Sequence, residues 1–198
     1  MNFAVFTSGH GSNLQAIINA VQNKKIRAKL KLVVSDKAGA FALKRARKAK
    51  VPTVILDTGR YPDRASFDRA AVEQLRLAHI DFVVLAGFMR ILSPYMIQQY
   101  AGKILNVHPA LLPSFRGAHA IRDAFDFGVR VTGVTIHFVD EQVDHGAIIM
   151  QEAVKIEKRD TLASLEKKIH SIEHRLYPQA IDLFARGKLR VTERKVFS

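Results

Sequence analysis

The chain has 198 residues, of which 48% are hydrophobic, so it is long and apolar enough to form one domain with a sizeable core. It contains no cysteine, which excludes disulfide bonds and thiolate metal sites. Its 31 Lys and Arg against 18 Asp and Glu give a net charge of +13, which favours anionic partners such as nucleic acids, membranes or phosphorylated metabolites. A basic surface without a specific partner is the alternative.

No apolar run approaches the roughly 18 residues of a membrane span, and the N-terminus lacks a basic segment followed by a signal sequence. No linker, repeat or low-complexity tract divides the chain. We therefore expect one cytoplasmic domain over residues 1–198, with no membrane partner.

Short apolar strands alternate with amphipathic helices through the first half of the chain. The predicted elements are strand 2–7, helix 13–23, strand 29–35, helix 41–50, strand 53–56, helix 64–78, strand 81–86 and strand 104–107. This alternation predicts an α/β fold, with a doubly wound, mostly parallel sheet that carries helices on both faces.

The second half predicts two more strands, 131–139 and 147–156, with an antiparallel pairing. A long helix follows over residues 161–185, with a bend near Pro178. The last dozen residues predict a strand and a loose end. Tyr95, Met96 and Ile97 are consistent with either core packing or a dimer contact, so we expect a monomer or a homodimer.

Four motifs follow predicted strands: residues 8–13, 87–92, 106–108 and 140–146. Ligands of open α/β sheets bind outside the carboxyl ends of the strands. The topology therefore predicts that the four motifs share one edge of the sheet.

The first motif, Gly9-His10-Gly11-Ser12-Asn13, combines two glycines with the start of a helix, which suits a phosphate. The alternative is a tight turn in which Ser12 or Asn13 caps the helix. A dinucleotide site is also conceivable because Asp36 follows the second strand, but Leu14 occupies the position of the third fingerprint glycine.

Asn106, His108 and Asp144 provide an amide, an imidazole and a carboxylate. These groups can stabilise an oxyanion and move a proton during attack on a carbonyl. His108 ends a strand between Asn106 and Pro109, which favours a catalytic role. The alternative is a strand-end histidine whose ring is satisfied by the backbone.

Two further patterns leave alternatives open. The segment from His170 to His174 matches the H-x-x-E-H pattern of inverted zinc proteases, although a polar patch or an exposed helix surface explains it as well. The segment from Phe88 to Leu92 is apolar apart from Arg90 and predicts either core or a slot for a flat ring. His79 and His137 are most simply structural.

Together these motifs resemble the folate-dependent formyltransferases, and most closely those that act on glycinamide ribonucleotide in purine biosynthesis. The segments that carry the resemblance are Ser8 to Gln15, Val84 to Leu92, Asn106 to Pro113, and Gly133 to Val139 with Asp144 and Gly146. They occur in order over nearly the whole chain.

The resemblance implies a role for each matching residue. Catalysis would fall to Asn106, His108 and Asp144, with Asp144 raising the pKa of His108. The ribonucleotide would contact Gly11, Ser12, Asn13, His170 and Glu173. The co-substrate 10-formyltetrahydrofolate would contact Arg64, Met89, Arg90, Ile91, Leu92, Asn106, Asp140, Glu141, Gln142, Val143 and Asp144. Residues 1–100 would then be a phosphate-binding half, and residues 101–198 a catalytic and folate-binding half. No metal and no nucleic acid are implied.

The chain departs from the family at His145, where relatives usually carry a small or hydroxyl residue, and at Arg116. The family also often has a cis peptide before the position of Pro113, which we expect here. The related tRNA formyltransferases and formyltetrahydrofolate deformylases normally carry an additional domain, for which 198 residues leave no room. The net charge of +13 is the one feature that favours RNA.

Overall fold

The computed structural model describes all 198 residues around a central seven-stranded sheet. The strands of this sheet are β1 (Asn2–Thr7), β2 (Lys29–Ser35), β3 (Thr53–Ile55), β4 (Phe82–Leu85), β5 (Ile104–His108), β6 (Val131–Phe138) and β7 (Ile148–Lys155). Their order is β3-β2-β1-β4-β5-β6-β7. The pairings from β3 to β5 are parallel, whereas β6 is antiparallel to both β5 and β7. The predicted doubly wound, mostly parallel sheet is confirmed.

Six α-helices surround the sheet: α1 (Ser12–Gln22), α2 (Phe41–Lys48), α3 (Arg64–Leu77), α4 (Pro94–Gln99), α5 (Ala120–Phe127) and α6 (Leu162–Ala185). A single 3-10 turn covers Thr58–Arg60. The sequence predicted neither α4 nor α5. Helix α6 continues through Pro178 as one element. None of the helices combines the length and the apolarity needed to cross a membrane.

The predicted loose C-terminal end is wrong. Residues 190–197 form a two-stranded antiparallel hairpin of β8 (Arg190–Thr192) and β9 (Lys195–Phe197). Val196 of β9 is partly buried and packs against the main core, whereas most of the other hairpin residues are exposed. Because the hairpin is short and mostly polar, its sequence lacks the apolar alternation that marks a longer strand.

Each face of the sheet carries its own hydrophobic core. In β1, Phe3 and Val5 point into the core that packs against α1 and α6, whereas Ala4 and Phe6 point into the core under α3 and α4. This alternation is the two-residue period of a strand buried on both sides. Met96 of α4 is fully buried in the second core, so the segment around it is core.

Tyr177 of α6 connects the helix to the sheet where β4 and β5 end. Its ring is fully buried, and its hydroxyl lies 2.9 Å from the carbonyl oxygens of both Leu85 and Leu105. Burial raises the pKa of this phenol well above its ordinary value, so the hydroxyl keeps its proton and can donate it. Helix α6 is therefore held where β4 and β5 end.

Candidate active site

The four predicted motifs form two contacting pairs where the parallel strands end. Ser8, after β1, donates its backbone N–H to the carbonyl of Gly87 over 3.0 Å, and its hydroxyl accepts the N–H of Met89 over 3.0 Å. Asn106 of β5 lies beside Asp144 in the loop between β6 and β7, with Nδ2 and Oδ1 3.4 Å apart. Leu85 of β4 pairs with Asn106 of β5, and the side-chain contact of Asp144 adds the loop after the antiparallel β6, so these segments lie at one edge, as predicted.

Asn106, His108 and Asp144 form one cluster at the end of β5. Asn106 and His108 are two residues apart on a strand, so their side chains point to the same face. His108 Nδ1 lies 3.3 Å from Asp144 Oδ2. The side chains of His108 and Asp144 are only 4% and 11% exposed, so their charges interact with little screening by solvent.

Asp144 is oriented by its backbone and by a nearby amide. Its φ of 49° is left-handed, a conformation that aspartate adopts more readily than most residues. Its Oδ2 accepts the N–H of Gly117 over 2.9 Å. Burial raises the pKa of Asp144, but contacts with His137, Gly117 and His108 outweigh it, so the pKa lies below its ordinary value. Asp144 is consequently a carboxylate at neutral pH.

His108 has an oxygen acceptor at each ring nitrogen. Besides the Asp144 contact at Nδ1, its Nε2 lies 2.7 Å from the carbonyl oxygen of Phe115, an acceptor that requires a proton on Nε2. The backbone contact considered as an alternative is therefore present together with the carboxylate contact. Only the imidazolium form donates to both oxygens.

Asp144 raises the pKa of His108, as predicted, but the net shift of this pKa is downward. Burial lowers this pKa, and the opposing effects of Asp144 and of the Phe115 carbonyl do not compensate, so the pKa lies below its ordinary value. Asp144 acts in the predicted direction, but the burial of the imidazole determines the sign of the net pKa shift.

His137 was missed as a member of this cluster. It pairs with Asn106 across the antiparallel β5–β6 ladder and is 1% exposed. Its Nδ1 donates to the carbonyl of Phe138 over 2.7 Å, which leaves Nε2 to accept from Asn106 Nδ2 over 3.1 Å. His137 therefore orients the Asn106 amide. The signal in the sequence was a polar residue in an otherwise apolar strand, but its position depended on the strand register.

The alternative in which Ser12 or Asn13 caps the helix is wrong, and the phosphate site stays a prediction. Gly11 is the N-cap of α1 with a left-handed φ of 74°, and no side chain caps the helix. The unpaired N–H groups of the first turn and the helix dipole therefore make an anion site. Gly11 is also required sterically, because an added Cβ would lie 2.6 Å from the Cβ of Ala42.

Helix α6 contributes a buried carboxylate next to this loop. Glu173 is 3% exposed, and its Oε2 accepts from Asn13 Nδ2 over 2.9 Å. His170 Nδ1 lies 2.9 Å from the same oxygen, and this hydrogen bond raises the pKa of His170 above its ordinary value. Two buried polar atoms nearby have no partner, namely Asn13 Oδ1 and His174 Nε2.

The H-x-x-E-H segment thus forms a polar cluster next to the phosphate loop. No group of three or more His, Asp or Glu side chains in the structure has the spacing of a metal site. A cleft of about 540 Å³ runs between α1 and α6 from Ser12 past His174, and it includes none of the three predicted catalytic residues.

The residues predicted to bind folate fall into exposed and buried groups. Met89 and Ile91 are 66% and 56% exposed, whereas Leu92 is buried. The guanidinium of Arg90 lies over the ring of Phe67 at 4.4 Å. Arg64 is exposed at the first position of α3.

The segment 87–92 serves both as core and as exposed apolar surface. Phe88 packs edge-on against Phe6 inside the core under α3, at a ring separation of 5.3 Å. The core interpretation is therefore correct for part of this segment, and the slot for a flat ring stays a prediction.

The other predicted folate contacts lie in the loop that carries Asp144. Asp140 Oδ1 accepts the N–H of Gln142 over 3.1 Å, which turns the loop sharply. Glu141 and Val143 are exposed. The expected cis peptide is present between Leu112 and Pro113.

A comparison with protein-family models matches residues 1–181 to the formyl transferase family. The chain is 43% identical to the phosphoribosylglycinamide formyltransferase of Bacillus subtilis, over 90% of this chain and 92% of that protein. The corresponding Escherichia coli protein is 42% identical, over 98% and 91%.

Longer proteins contain a similar segment. The chain is 46% identical to the trifunctional purine biosynthetic protein adenosine-3 of Gallus gallus, over 96% of this chain but only 19% of that protein. Among solved structures, glycinamide ribonucleotide transformylase 1 from Symbiobacterium toebii superposes with a TM-score of 0.97 at 43% identity, covering 100% of this chain and 93% of that one. Phosphoribosylglycinamide formyltransferase from Coxiella burnetii gives a TM-score of 0.94 at 36% identity, over 100% and 92%.

Proposed function

The chain belongs to the formyl transferase family, and we propose on this basis that it transfers the formyl group of 10-formyltetrahydrofolate to the amine of glycinamide ribonucleotide in purine biosynthesis. The observation that carries the proposal is the buried cluster of Asn106, His108 and Asp144 on the edge where the uncapped start of α1 also lies. Such a site combines phosphate binding with carbonyl chemistry.

Asn106 and His108 act on the oxygen of the formyl group. As the amine nitrogen bonds to the formyl carbon, the carbonyl electron pair moves onto this oxygen, and the two side chains donate to it. The Nε2 proton of His108 turns from the Phe115 carbonyl to the oxyanion. Preorganised donors of this kind are worth roughly 10²–10³ in rate each.

Asp144 completes the proton transfers. Its carboxylate faces Nδ1 of His108 and favours the charged imidazolium that donates to the oxyanion. When the carbonyl re-forms, the bond between the formyl carbon and N10 breaks, N10 takes a proton, and the attacking nitrogen loses one. His108 and Asp144 relay this proton, so the enzyme returns to its starting charge.

The ribonucleotide lies along the N-terminus of α1 and the middle of α6. Backbone N–H groups of Gly11, Ser12 and Asn13 hold its phosphate. Glu173 and His170 bind the ribose and the glycyl end, and the charge of Glu173 suits hydroxyl donors and an amine.

The formyl donor occupies the opposite side of the cluster. Its flat ring packs on the exposed side chains of Met89 and Ile91, while the buried Leu92 supports this slot from below. Arg64 and Arg90 provide positive charge for the glutamate portion. The loop from Asp140 to Asp144 contacts the polar edge of the ring.

A formyl-transfer assay tests the proposal. Purified protein is mixed with 10-formyltetrahydrofolate and glycinamide ribonucleotide, with formyl-acceptor tRNA or water alone in parallel, and the products are identified by mass. We expect formylated ribonucleotide, and a loss of about 10²–10³ in turnover for folded His108→Ala. His79→Asn, which changes an exposed histidine with a left-handed backbone, is the control and should retain activity.

The other products decide between related functions. Free formate without an acceptor would indicate a deformylase, and formylated tRNA would indicate an RNA substrate and explain the charge of +13. Wild-type turnover in a folded His108→Ala protein would refute the assigned chemistry.

A further inference from the structure

The loop between β6 and β7 has to hold an unfavourable backbone conformation. Asp144 is left-handed at φ 49°, a conformation uncommon for residues with a Cβ. At Gly146 the loop packs so closely on β6 that an added Cβ would lie 1.9 Å from the carbonyl oxygen of Phe138. Conformations of this kind persist only where the surroundings fix them.

The C-terminal hairpin supplies one of these restraints. Arg194, in the two-residue turn between β8 and β9, donates from Nη2 to the backbone carbonyl of His145 over 2.7 Å. This carbonyl belongs to the residue directly after Asp144. The hairpin lies beyond residues 1–181, the part of the chain that the family model matches.

A second set of contacts extends from Arg194 to the start of the loop. His145 Nδ1 lies 2.7 Å from Asp140 Oδ2, and because a carboxylate only accepts, Nδ1 carries the proton. His145 Nε2 is then an acceptor for Arg194 Nη1 at 3.0 Å. Two consecutive contacts, from Arg194 to His145 and from His145 to Asp140, therefore connect the hairpin to both ends of the loop.

We propose that Arg194 is a positioning residue that, through His145, holds the loop from Asp140 to Asp144 in the shape that presents Asp144 to His108 and receives the formyl donor. The hairpin acts as an anchor for the loop, since Val196 fixes it to the main core. His145 provides both groups that Arg194 contacts. The kinetic part of this inference rests on the function proposed above.

Arg194→Ala compared with Arg190→Ala tests the proposal. Both arginines are exposed in the same hairpin and the two changes remove the same charge, but no side-chain hydrogen bond or ion pair of Arg190 is present. Hydrogen–deuterium exchange over residues 139–147 needs no substrate. We expect exchange in this segment to accelerate in Arg194→Ala and to stay at the wild-type rate in Arg190→Ala.

Steady-state kinetics provide the second readout. Because the contacts of Arg194 are solvent-exposed, we expect a modest effect: Arg194→Ala raises KM for 10-formyltetrahydrofolate about two- to fivefold and leaves KM for the ribonucleotide unchanged. Arg194→Lys keeps one charged donor for the His145 carbonyl and should recover part of the loss. A general loss of stability would instead affect both substrates and would not be rescued by lysine.

Each result decides the proposal. Equal exchange in the two alanine variants overturns the anchoring of the loop. Faster exchange with unchanged donor KM overturns its role in donor binding. If the wild-type protein transfers no formyl group, the proposed function fails, and exchange alone decides whether Arg194 anchors the loop.

Discussion

Replacing Asp144 by asparagine removes one charge from the cluster and keeps the shape of the side chain. At 3.3 Å and an effective dielectric constant of about 20, a full charge pair with His108 is worth about 5 kcal/mol. The variant no longer has the desolvation cost of a buried carboxylate, which offsets part of the lost charge interaction. Measured losses for breaking buried ion pairs are about 3–5 kcal/mol. Since each 1.36 kcal/mol is a factor of ten, we expect kcat/KM to fall about 10²–10⁴-fold.

The pH profile of Asp144→Asn provides a second test, namely the direction in which the pH dependence of turnover moves. A protonated His108 is active below its pKa, so turnover declines as pH rises through that pKa. The Asp144 carboxylate raises the pKa of His108 against the effect of burial, and its removal lowers the pKa further. The decline should therefore move to lower pH.

The assay measures the absorbance change as the donor loses its formyl group, from pH 5 to pH 9. Asp126→Asn, an exposed carboxylate on α5, is the matched control and should behave as the wild type. A folded Asp144→Asn protein whose kcat/KM stays within about threefold of the wild type, or whose decline moves to higher pH, would refute the reasoning.

Three further changes probe other parts of the molecule. Glu173→Gln weakens the acceptor that Asn13 and the ribonucleotide share, so we expect KM for the ribonucleotide to rise roughly tenfold or more at unchanged donor KM. Gly11→Ala forces a Cβ into a left-handed position against α2, and urea unfolding should show a loss of at least about 2 kcal/mol, whereas Gly9→Ala, with open space around it, serves as its control. Asp160 has a pKa lowered to about 2, because Lys168, the N–H of residue 157 and the hydroxyl of residue 164 bond its charged form. The charge of Asp160 therefore stabilises the fold above pH 3.8, and this stabilisation is lost as pH falls towards 2. The Tm difference between the wild type and Asp160→Asn should shrink over that range.

A different result would contradict each of these predictions. Equal shifts in both KM values would show that Glu173 acts on the fold rather than on one substrate. Equal stability of the Gly11→Ala and Gly9→Ala proteins would contradict the close approach of α1 to α2. A Tm difference for Asp160→Asn that is independent of pH would mean that the charge of Asp160 contributes nothing.

Most of the sheet could be predicted from the sequence because its strands are buried on both faces. β1 and β2 begin and end at the predicted residues, and the buried face of α3 follows the predicted spacing. Helix α4 has only six residues, too few to show a helical period, so its formation depends on tertiary packing that no local pattern reveals. Helix α5 has eight residues, as many as the predicted α2, and was missed although its sequence is amphipathic.

The candidate site shows the same division between local and long-range information. Asn106 and His108 could be found because a polar pair ends an apolar strand. His137 could not be placed, because its contact with Asn106 depends on the register of two antiparallel strands. The sign of the His108 pKa shift depends on burial by the whole fold, which no sequence motif encodes.

The hydrogen bond between Asn13 and Glu173 has a consequence for how the protein is made. Its two partners are 160 residues apart, so Glu173 is synthesised long after Asn13. A nascent chain that has reached the end of β7 already contains Asn106, His108 and Asp144, but the pocket proposed for the ribonucleotide lacks the wall that α6 supplies. The reaction site therefore becomes complete only when the C-terminal helix has left the ribosome and docked, so that truncated chains carry the catalytic groups without the carboxylate that completes the pocket.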